Sequence, residues 1–424
     1  MTHQPGDVYV TAAHITADAV ARRSYGKLVA FLAAHTRDVA AAEDALSEAF
    51  ASALSDWPVN GCPSNPEAWL LTVARRKYID LVRGHRRHEV AAEQLKIMAE
   101  GLETAAADAD DIPDQRLALM FVCAHPAIDP SIRAPLILQV VLGLDAKAIA
   151  SAFLTSPSAM GKRLVRAKDK IRQAGIPFSI PSREELPDRL SAVLDAIYAA
   201  FTEGWTDPGG IDVIRRGLTE EVFFLVTLLT DLLPQEPEPL GLLALMLHAE
   251  ARRSARRTPD GGYIPFTHQD LALWDWQKIA HAEHLLRRAV ALDSIGRYQL
   301  EGALQSAHVH RRYTGQPNWQ QIVQLYDALY ALAPTPVVAI NRALALAELE
   351  GAPAALESIA PLASDDRLTA YQPYWAARAD LLARTGATAE AHRAYDIAIG
   401  LETDPAIRRF LLDRQSSLKP DPQK

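Results

Sequence analysis

Apolar residues recur at helical spacing along most of the chain, and clusters of Pro, Gly, Asn and Ser separate the periodic stretches. One stretch covers residues 16–88, with breaks predicted at the Trp57-Pro58 step and in the loop 59–66. A second covers 115–173 and ends before the Pro-punctuated segment 176–187. Helices of ordinary length follow to about Leu418. The pattern predicts an all-α protein.

The segment 89–114 differs from its surroundings because it is Ala-rich, acidic and without a run of core-forming aliphatic residues. Its composition predicts an acidic linker. With 424 residues, the chain is also too long for one ordinary core, which favours two to three domains. The helical stretches on either side of the linker are therefore predicted to fold separately.

Residues 145–172 have the pattern of two helices joined by a tight turn. A short helix over 145–153 precedes Ser156, which can cap a second helix that has Pro157 at its first position. An apolar stripe on the second helix consists of Met160, Leu164, Ala167 and Ile171. The outward side consists of Ser158, Lys162, Arg163, Arg166 and Lys170. This pattern predicts a helix-turn-helix with a basic recognition helix, although a basic solvated face is the simpler alternative.

A second basic helix is predicted from Pro66 to about Arg83. Its core side is predicted to consist of Trp69, Leu70, Val73, Ala74, Lys77 and Leu81. The other side carries Arg75, Arg76, Tyr78, Val82 and Arg83. A basic helix after a Gly/Pro/Asn loop suits binding of melting or single-stranded DNA, and a solvated face is again the alternative.

Positive charge is concentrated in these two helices, whereas the whole chain has a formal net charge of -8. Residues 75–88 contain six Lys or Arg against one Asp, and residues 161–172 contain six against one. The acidic balance disfavours a protein that coats nucleic acid indiscriminately. DNA contacts are therefore expected from two local patches.

A weak repeat occurs in the C-terminal half. Large and small residues alternate as a tetratricopeptide helix pair requires, at Trp375, Ala379, Leu382, Ala391, Tyr395 and Ala398. The same offsets recur 36 residues earlier, at Ala339, Ala343, Leu346, Ala355, Ile359 and Leu362. The spacing predicts tetratricopeptide-like stacking, with a generic array of helical hairpins as the alternative.

Enzyme chemistry is not indicated. The sequence contains no phosphate-binding loop, dinucleotide fingerprint, zinc-protease motif or serine-hydrolase elbow, and neither of the two cysteines has zinc-ligand spacing. No catalytic residue, metal or cofactor is predicted. The start of the chain lacks a leader pattern and no apolar run is long enough to span a bilayer, so a cytoplasmic protein without a membrane partner is expected.

Taken together, these segments resemble the sigma-70 family, in particular the extracytoplasmic-function (ECF) branch, over residues 16–175. The sequence AEDALSEAFASALSDWP (42–58) resembles the polymerase-clamp-binding helix of region two. NPEAWLLTVARRKYIDLVRGHRRH (65–88) resembles its promoter-melting and -10-reading part, and 145–172 resembles the -35-reading helix-turn-helix of region four. Arg76 stands where the branch often has Asn, so a particular -10 preference is not inferred.

The rest of the chain resembles the ECF subgroup that carries a long tetratricopeptide-like C-terminal extension. The supporting segments are CAHPAIDP (123–130), AGIPF, IYAAFTEGW, LWD, LYDAL, PVVAINRALALAE and AARADLLARTG (174–386). Ala124 replaces the second Cys of the subgroup's Cys-Cys-His-Pro stretch.

The resemblance implies four segments: region two at 10–88, the linker at 89–114, region four at 115–175 and the extension at 188–418. The residues predicted to bind core RNA polymerase are Glu43, Asp44, Leu46, Glu48 and Phe50. Those predicted to bind the -10 element are Asn60, Gly61, Arg75, Arg76, Arg83, Arg86 and Arg87. Those predicted to bind the -35 element are Ser158, Lys162, Arg163, Arg166 and Lys170.

The implied partners are core RNA polymerase, through its clamp and flap regions, and promoter DNA. Further candidate partners are an intramolecular contact between the sigma regions and the extension, and a protein bound by the repeats. The extension would regulate or support activity. Two alternatives remain at this point: a helix-turn-helix regulator with a tetratricopeptide sensor domain, and a tetratricopeptide scaffold with an incidental basic face.

Overall fold

The computed structural model describes residues 5–85, 115–153, 155–176, 178, 181–182, 184–205 and 213–418. Within these residues the regular structure is helical, apart from one isolated β-bridge between Arg257 and Tyr263. The prediction of an all-α protein is therefore confirmed. The predicted linker, 89–114, lies outside the described residues.

The described residues form two compact units. Unit one contains those up to Trp205 together with 213–225, and unit two contains those from Val226 onward. The helices that begin in unit one are α1 (Pro5–Thr36), α2 (Val39–Asn60), α3 (Pro66–His85), α4 (Arg116–Cys123), α5 (Pro130–Val140), α6 (Ala146–Ala152), α7 (Pro157–Ala174), α8 (Leu186–Trp205) and α9 (Val213–Leu232).

Helices α1, α2 and α3 pack on one another around a core of small and branched side chains. Asp38 begins α2, because its carboxylate accepts the backbone N–H of Ala41 at 3.1 Å. Trp57 is fully buried and meets the Trp69 ring edge-on at 5.4 Å between centroids, which fixes the end of α2 against α3.

The predicted helix break at the Trp57-Pro58 step is wrong. Helix α2 contains Pro58 and continues to Asn60, and the Gly61 N–H closes the last turn on the Trp57 carbonyl at 3.0 Å. The buried Trp57 ring anchors this turn, so the backbone hydrogen bond that proline lacks does not end the helix. The loop is correspondingly shorter than predicted.

Helices α4 to α8 pack together in the second half of unit one. Helix α4 is buried along its whole length, and α5 packs against both α7 and α8. The Arg133 guanidinium on α5 donates to the Asp188 carbonyl at 3.2 Å, and Arg116 on α4 forms an ion pair with Glu221 on α9. The first helices after residue 187 thus belong to the same packed unit as α4 to α7.

Unit two contains a series of neighbouring helices that contact one another in chain order. They are α10 (Pro237–Ala251), α11 (Trp276–Val290), α12 (Arg297–Val309), α13 (Arg311–Thr314), α14 (Trp319–Leu332), α15 (Pro336–Leu349), α16 (Ala352–Ile359), α17 (Gln372–Arg384), α18 (Thr388–Leu401) and α19 (Pro405–Ser416). Short 3-10 helices lie at 253–255, 266–268, 271–273, 360–364 and 366–368.

The two segments with repeat spacing each form a helical hairpin, α15 with α16 and α17 with α18. The small residues Ala343, Ala355, Ala379 and Ala391 are buried where the paired helices approach each other. This packing agrees with the predicted alternation of large and small side chains. Tetratricopeptide-like stacking itself stays a prediction.

In the described part of the chain, no helix combines the length and apolar character that crossing a bilayer requires. In the same residues, His, Cys, Asp and Glu side chains form no group of three or more that could hold a metal ion.

Candidate nucleic-acid interface

Helix α7 begins and packs as its sequence predicts. The Ser156 hydroxyl accepts the backbone N–H of Ala159 at 3.3 Å, and Pro157 occupies the first helical position. The four residues of the predicted apolar stripe are buried: Met160, Leu164, Ala167 and Ile171. Helix α6 precedes it after a four-residue turn and packs against it. The two helices and the turn between them thus lie where the sequence predicts them, and the helix-turn-helix itself stays a prediction.

The exposed side of α7 carries most of the predicted -35 contacts. Ser158, Lys162, Arg166 and Lys170 are all exposed. Val165 is exposed on the same helix, at 62% of its full surface. Val165 is not among the residues predicted from the sequence to bind DNA, although its position outside the apolar stripe is a signal that the sequence contains. This side of α7 therefore offers cationic, hydroxyl and apolar groups that can contact phosphates and base edges.

Arg163 is placed differently from the other predicted -35 residues. Its guanidinium donates to the Ser131 hydroxyl near the start of α5. Ser131 in turn hydrogen-bonds Asp129, and these Ser131 hydrogen bonds hold the pKa of the Asp129 carboxyl below its ordinary value, with smaller contributions from Arg163 and Arg133. Arg163 therefore connects α7 to α5 within unit one, and its role in base recognition remains a prediction.

The basic side of α3 is partly described. Asn65 caps the helix by accepting the Ala68 N–H at 3.0 Å, while Leu70, Leu71 and Ala74 face the core. Arg75 is half-buried and Arg76 is exposed. The side chain of Arg83 and the whole of Arg86 and Arg87 lie outside the described residues. The described part of this face thus presents Arg76 to solvent.

Asn60 and Gly61 lie where α2 gives way to the loop before α3, and both are exposed. The Asn60 amide donates to the Asp56 carboxylate at 2.7 Å. Gly61 has φ +87°, a backbone conformation that glycine adopts far more readily than other residues. The turn at Gly61 leads into the short loop that precedes the basic helix.

The predicted polymerase-binding residues on α2 do not share one exposed face. Asp44 and Glu48 are exposed, and Phe50 is half-buried against the Tyr25 ring at 6.4 Å between centroids. The prediction that Leu46 lies on the contact surface is wrong, because its side chain is fully buried in the core between α1, α2 and α3.

Glu43 is also covered, by a residue for which the sequence predicts no site. The Lys168 ammonium on α7 lies 2.7 Å from the Glu43 carboxylate, and the two side chains are 18% and 13% exposed. Burial raises the pKa of Glu43 above its ordinary value, and the nearby Lys168 charge opposes that shift. A residue predicted for polymerase thus forms an ion pair with the predicted DNA-reading helix.

The side chains around this ion pair are buried as well. Tyr25 on α1 has its pKa raised to about 12 by burial and by the neighbouring Glu43 charge. Burial also raises the pKa of the Cys123 thiol on α4, which lies near the same ion pair. No pattern in the sequence pairs Glu43 with Lys168, since they lie 125 positions apart.

Two known families match parts of the chain, and a relative matches nearly all of it. Residues 20–88 match the family described as Sigma-70 region 2, and residues 189–290 match a family of unknown function, DUF6596. An uncharacterized protein of Rhizobium meliloti (strain 1021) is 36% identical over 390 residues, which cover 91% of this chain and 92% of that protein.

A second relative is the probable RNA polymerase sigma factor RfaY of Xanthomonas campestris pv. campestris. It is 30% identical over 163 residues, which cover 36% of this chain and 40% of that protein. No solved structure matches the chain. The region-two match includes every residue of α2 and α3 that was predicted to bind polymerase or the -10 element. On these findings, the chain belongs to the sigma-70 family of RNA polymerase sigma factors.

Proposed function

We propose that this sigma factor is of the ECF type, with region two and region four as its two DNA-reading parts and a C-terminal helical domain that regulates or supports its activity. The exposed cationic face of α7 carries the proposal, because a chain with region two alone would have no second promoter contact. We infer a cytoplasmic location because the protein would act together with RNA polymerase.

In this function, the chain itself neither breaks nor forms a covalent bond. Exposed Asp44 and Glu48 on α2 offer negative charge to a basic polymerase surface. Arg76 and the loop at Asn60 and Gly61 receive the melted -10 strand, whose phosphates need a cationic path. Lys162 and Arg166 read the -35 duplex in its major groove. Promoter opening is then driven by binding free energy distributed among DNA, sigma factor and polymerase.

Reconstituted transcription tests the proposal. Purified full-length chain is added to core polymerase with a library of promoter fragments, and new start sites are sequenced. We expect initiation at a defined set of sites that requires this chain. Core polymerase that gains no start site, where a control sigma factor succeeds, would contradict the proposal. Specific duplex binding without polymerase would instead favour the helix-turn-helix regulator.

A further inference from the structure

Two arginines of unit two lie over the same aromatic ring. The guanidinium carbon of Arg252, the residue after α10, lies 4.4 Å from the centroid of the Phe266 ring. That of Arg311, the first residue of α13, lies 5.3 Å from the same centroid. Both also lie over the Trp274 ring, at 5.9 and 5.3 Å, and Phe266 stacks on Trp274 at 6.1 Å. Two positive charges are therefore held close together on one pair of stacked rings.

Neither of these arginines is paired with a carboxylate in the part of the chain that the structure describes. Arg252 donates to the His248 carbonyl at 3.2 Å and to the side-chain oxygen of Gln305 at 2.9 Å. Arg311 donates to backbone carbonyls within 266–269, at 3.2 to 3.4 Å. These neutral acceptors satisfy N–H groups but leave both net charges uncompensated. The Nη1 group of Arg252 donates to no described residue.

Two other arginines of the same segment do have carboxylate partners. Arg253 forms an ion pair with Glu250 at 2.9 Å, and Arg257 forms one with Asp404. These two carboxylates are therefore used by arginines outside the pair of stacked rings. The two charges on the rings need an anion from another source, because a poorly hydrated charge without a counter-charge is costly.

The electrostatic effect of the two arginines is visible at His308 on α12. Its ring meets the Phe266 ring edge-on at 4.8 Å between centroids. Burial, together with the charges of Arg252 and Arg311, lowers the pKa of His308 to about 4. The imidazole is therefore neutral near pH 7 and offers a hydrogen-bond donor without adding a third charge.

The indole N–H of Trp274 is a further donor in this cluster. Trp274 is only 3% exposed, and its Nε1 atom is buried without a hydrogen-bond partner among the described residues. Buried donors in native proteins nearly always have an acceptor. A buried donor beside two uncompensated cations indicates a site for an acceptor that carries negative charge. Arg252, Phe266 and His308 each keep part of their surface in solvent, so an ion can reach the cluster.

We propose that the cluster formed by Arg252, Arg311, His308 and Trp274 binds a phosphate group, supplied by inorganic phosphate or by a phosphate monoester. Such a group carries roughly 1.5 to 2 negative charges at neutral pH and compensates both guanidinium groups, whereas a single carboxylate would leave one of them unpaired. Arginine suits phosphate because its planar group donates paired N–H bonds to two oxygens. Phosphate binding goes beyond the proposed function and does not depend on it.

Titration of the full-length chain with sodium phosphate and with glycerol phosphate tests the site. Isothermal titration calorimetry at constant ionic strength measures both affinities, and acetate serves as the monoanion for comparison. We expect saturable binding of at least one phosphate compound, with weaker binding of acetate. Tighter binding of inorganic phosphate would identify the free ion as the ligand, and tighter binding of glycerol phosphate would identify an ester. If neither compound binds, or acetate binds as tightly, the proposal is overturned.

Arg252→Gln removes one charge and the paired N–H groups but keeps a side-chain amide. We expect it to weaken phosphate binding roughly tenfold or more. Arg253→Gln is the matched control, because it removes the same charge from the next residue, whose partner is Glu250. Trp274→Phe removes the indole N–H and keeps an aromatic ring, so it should also weaken binding. Circular dichroism verifies that the variants are folded, and equal affinities in the two arginine variants would overturn the site.

The His308 ring reports on the site in the unsubstituted chain. A bound phosphate places negative charge beside the imidazole, so the pKa of His308 measured by nuclear magnetic resonance should rise above about 4 in saturating phosphate. Arg252→Gln should raise it without phosphate, because one of the two charges that lower it is removed. If phosphate binds but the pKa of His308 stays unchanged, the anion lies elsewhere and the assignment to this cluster is overturned.

Discussion

Arg166 is an exposed cation on α7, and arginine is the side chain that most often makes bidentate contacts to a guanine edge. We expect Arg166→Ala to weaken initiation at promoters with an intact -35 element by about 1 to 3 kcal/mol, or roughly 5- to 150-fold. The measurement is run-off transcription from matched promoters with intact and scrambled -35 sequences. Arg393→Ala removes an exposed arginine of unit two as the control. An equal loss at both promoters would contradict base reading by Arg166.

His308 in unit two carries the second prediction for a single side chain. Burial, together with the charges of Arg252 and Arg311, lowers its pKa from 6.5 to about 4. Below pH 6.5 the unfolded chain takes up a proton that the folded chain does not, so stability is lost as the pH falls from 6.5 towards 4. We expect a loss of about 1 to 2 kcal/mol between pH 7 and pH 5 that depends on His308.

Chemical denaturation of unit two at both pH values measures this effect. His308→Gln removes the titrating ring, and His281→Gln replaces an exposed histidine on α11 as the control. The pH-dependent difference should shrink in the first variant and persist in the second. If it is unchanged in His308→Gln, other groups cause it.

At the level of single helices, the packing of α10 on α12 depends on Gly241. A Cβ atom there would lie 2.6 Å from the Gln299 nitrogen and 2.8 Å from the Tyr298 carbonyl carbon, both backbone atoms that cannot rotate away. We expect Gly241→Ala to destabilise these helices by about 1 to 3 kcal/mol. Hydrogen exchange of amides in α10 and α12 measures the local change.

Gly400 on α18 provides the matched substitution. An added Cβ meets nothing within 4 Å at this position. Gly400→Ala should therefore stabilise its helix by up to about 1 kcal/mol, because alanine loses less backbone entropy on folding. Equal effects at the two positions would show that the close approach at Gly241 is not the cause.

Local sequence signals predicted several helix limits in this chain. Ser156 and Pro157 specify the start of α7, since a cap and a fixed φ act within one turn. The same kind of reasoning was wrong at Pro58, where tertiary packing of Trp57 keeps the helix intact. Leu46 was misplaced for a related reason, because periodicity on α2 alone did not reveal which side two neighbouring helices would cover.

At the level of the whole molecule, no sequence pattern predicted that another side chain covers Glu43. Its partner Lys168 belongs to a different helical stretch and, on α7, resembles its basic neighbours. Only the folded chain distinguishes the cation that faces α2 from those that face solvent. The two basic helices were predictable because each has its own cap, apolar stripe and charge pattern.

A deletion that tests the role of the C-terminal extension has to leave the packed helices of unit one intact. Removing residues 188–424 takes away most of α8, whose buried side chains include Leu190, Val193, Ile197 and Phe201. Each such side chain contributes roughly 1.5 to 3 kcal/mol through burial, and a whole domain is stable by only about 5 to 15 kcal/mol. We therefore expect the 188–424 deletion to lose the native packing of unit one.

Removing residues 234–424 instead retains α8 and α9 and the Arg116–Glu221 ion pair. This shorter deletion should stay folded, and its transcription activity then reports the role of unit two. Activity above that of the full chain would support inhibition by unit two, whereas lost activity in a folded fragment would support a positive role. Thermal unfolding of both deletion variants decides whether their activities can be compared. If the two variants unfold at the same temperature, α8 is not what stabilises unit one. The expected difference in stability between the variants is then contradicted.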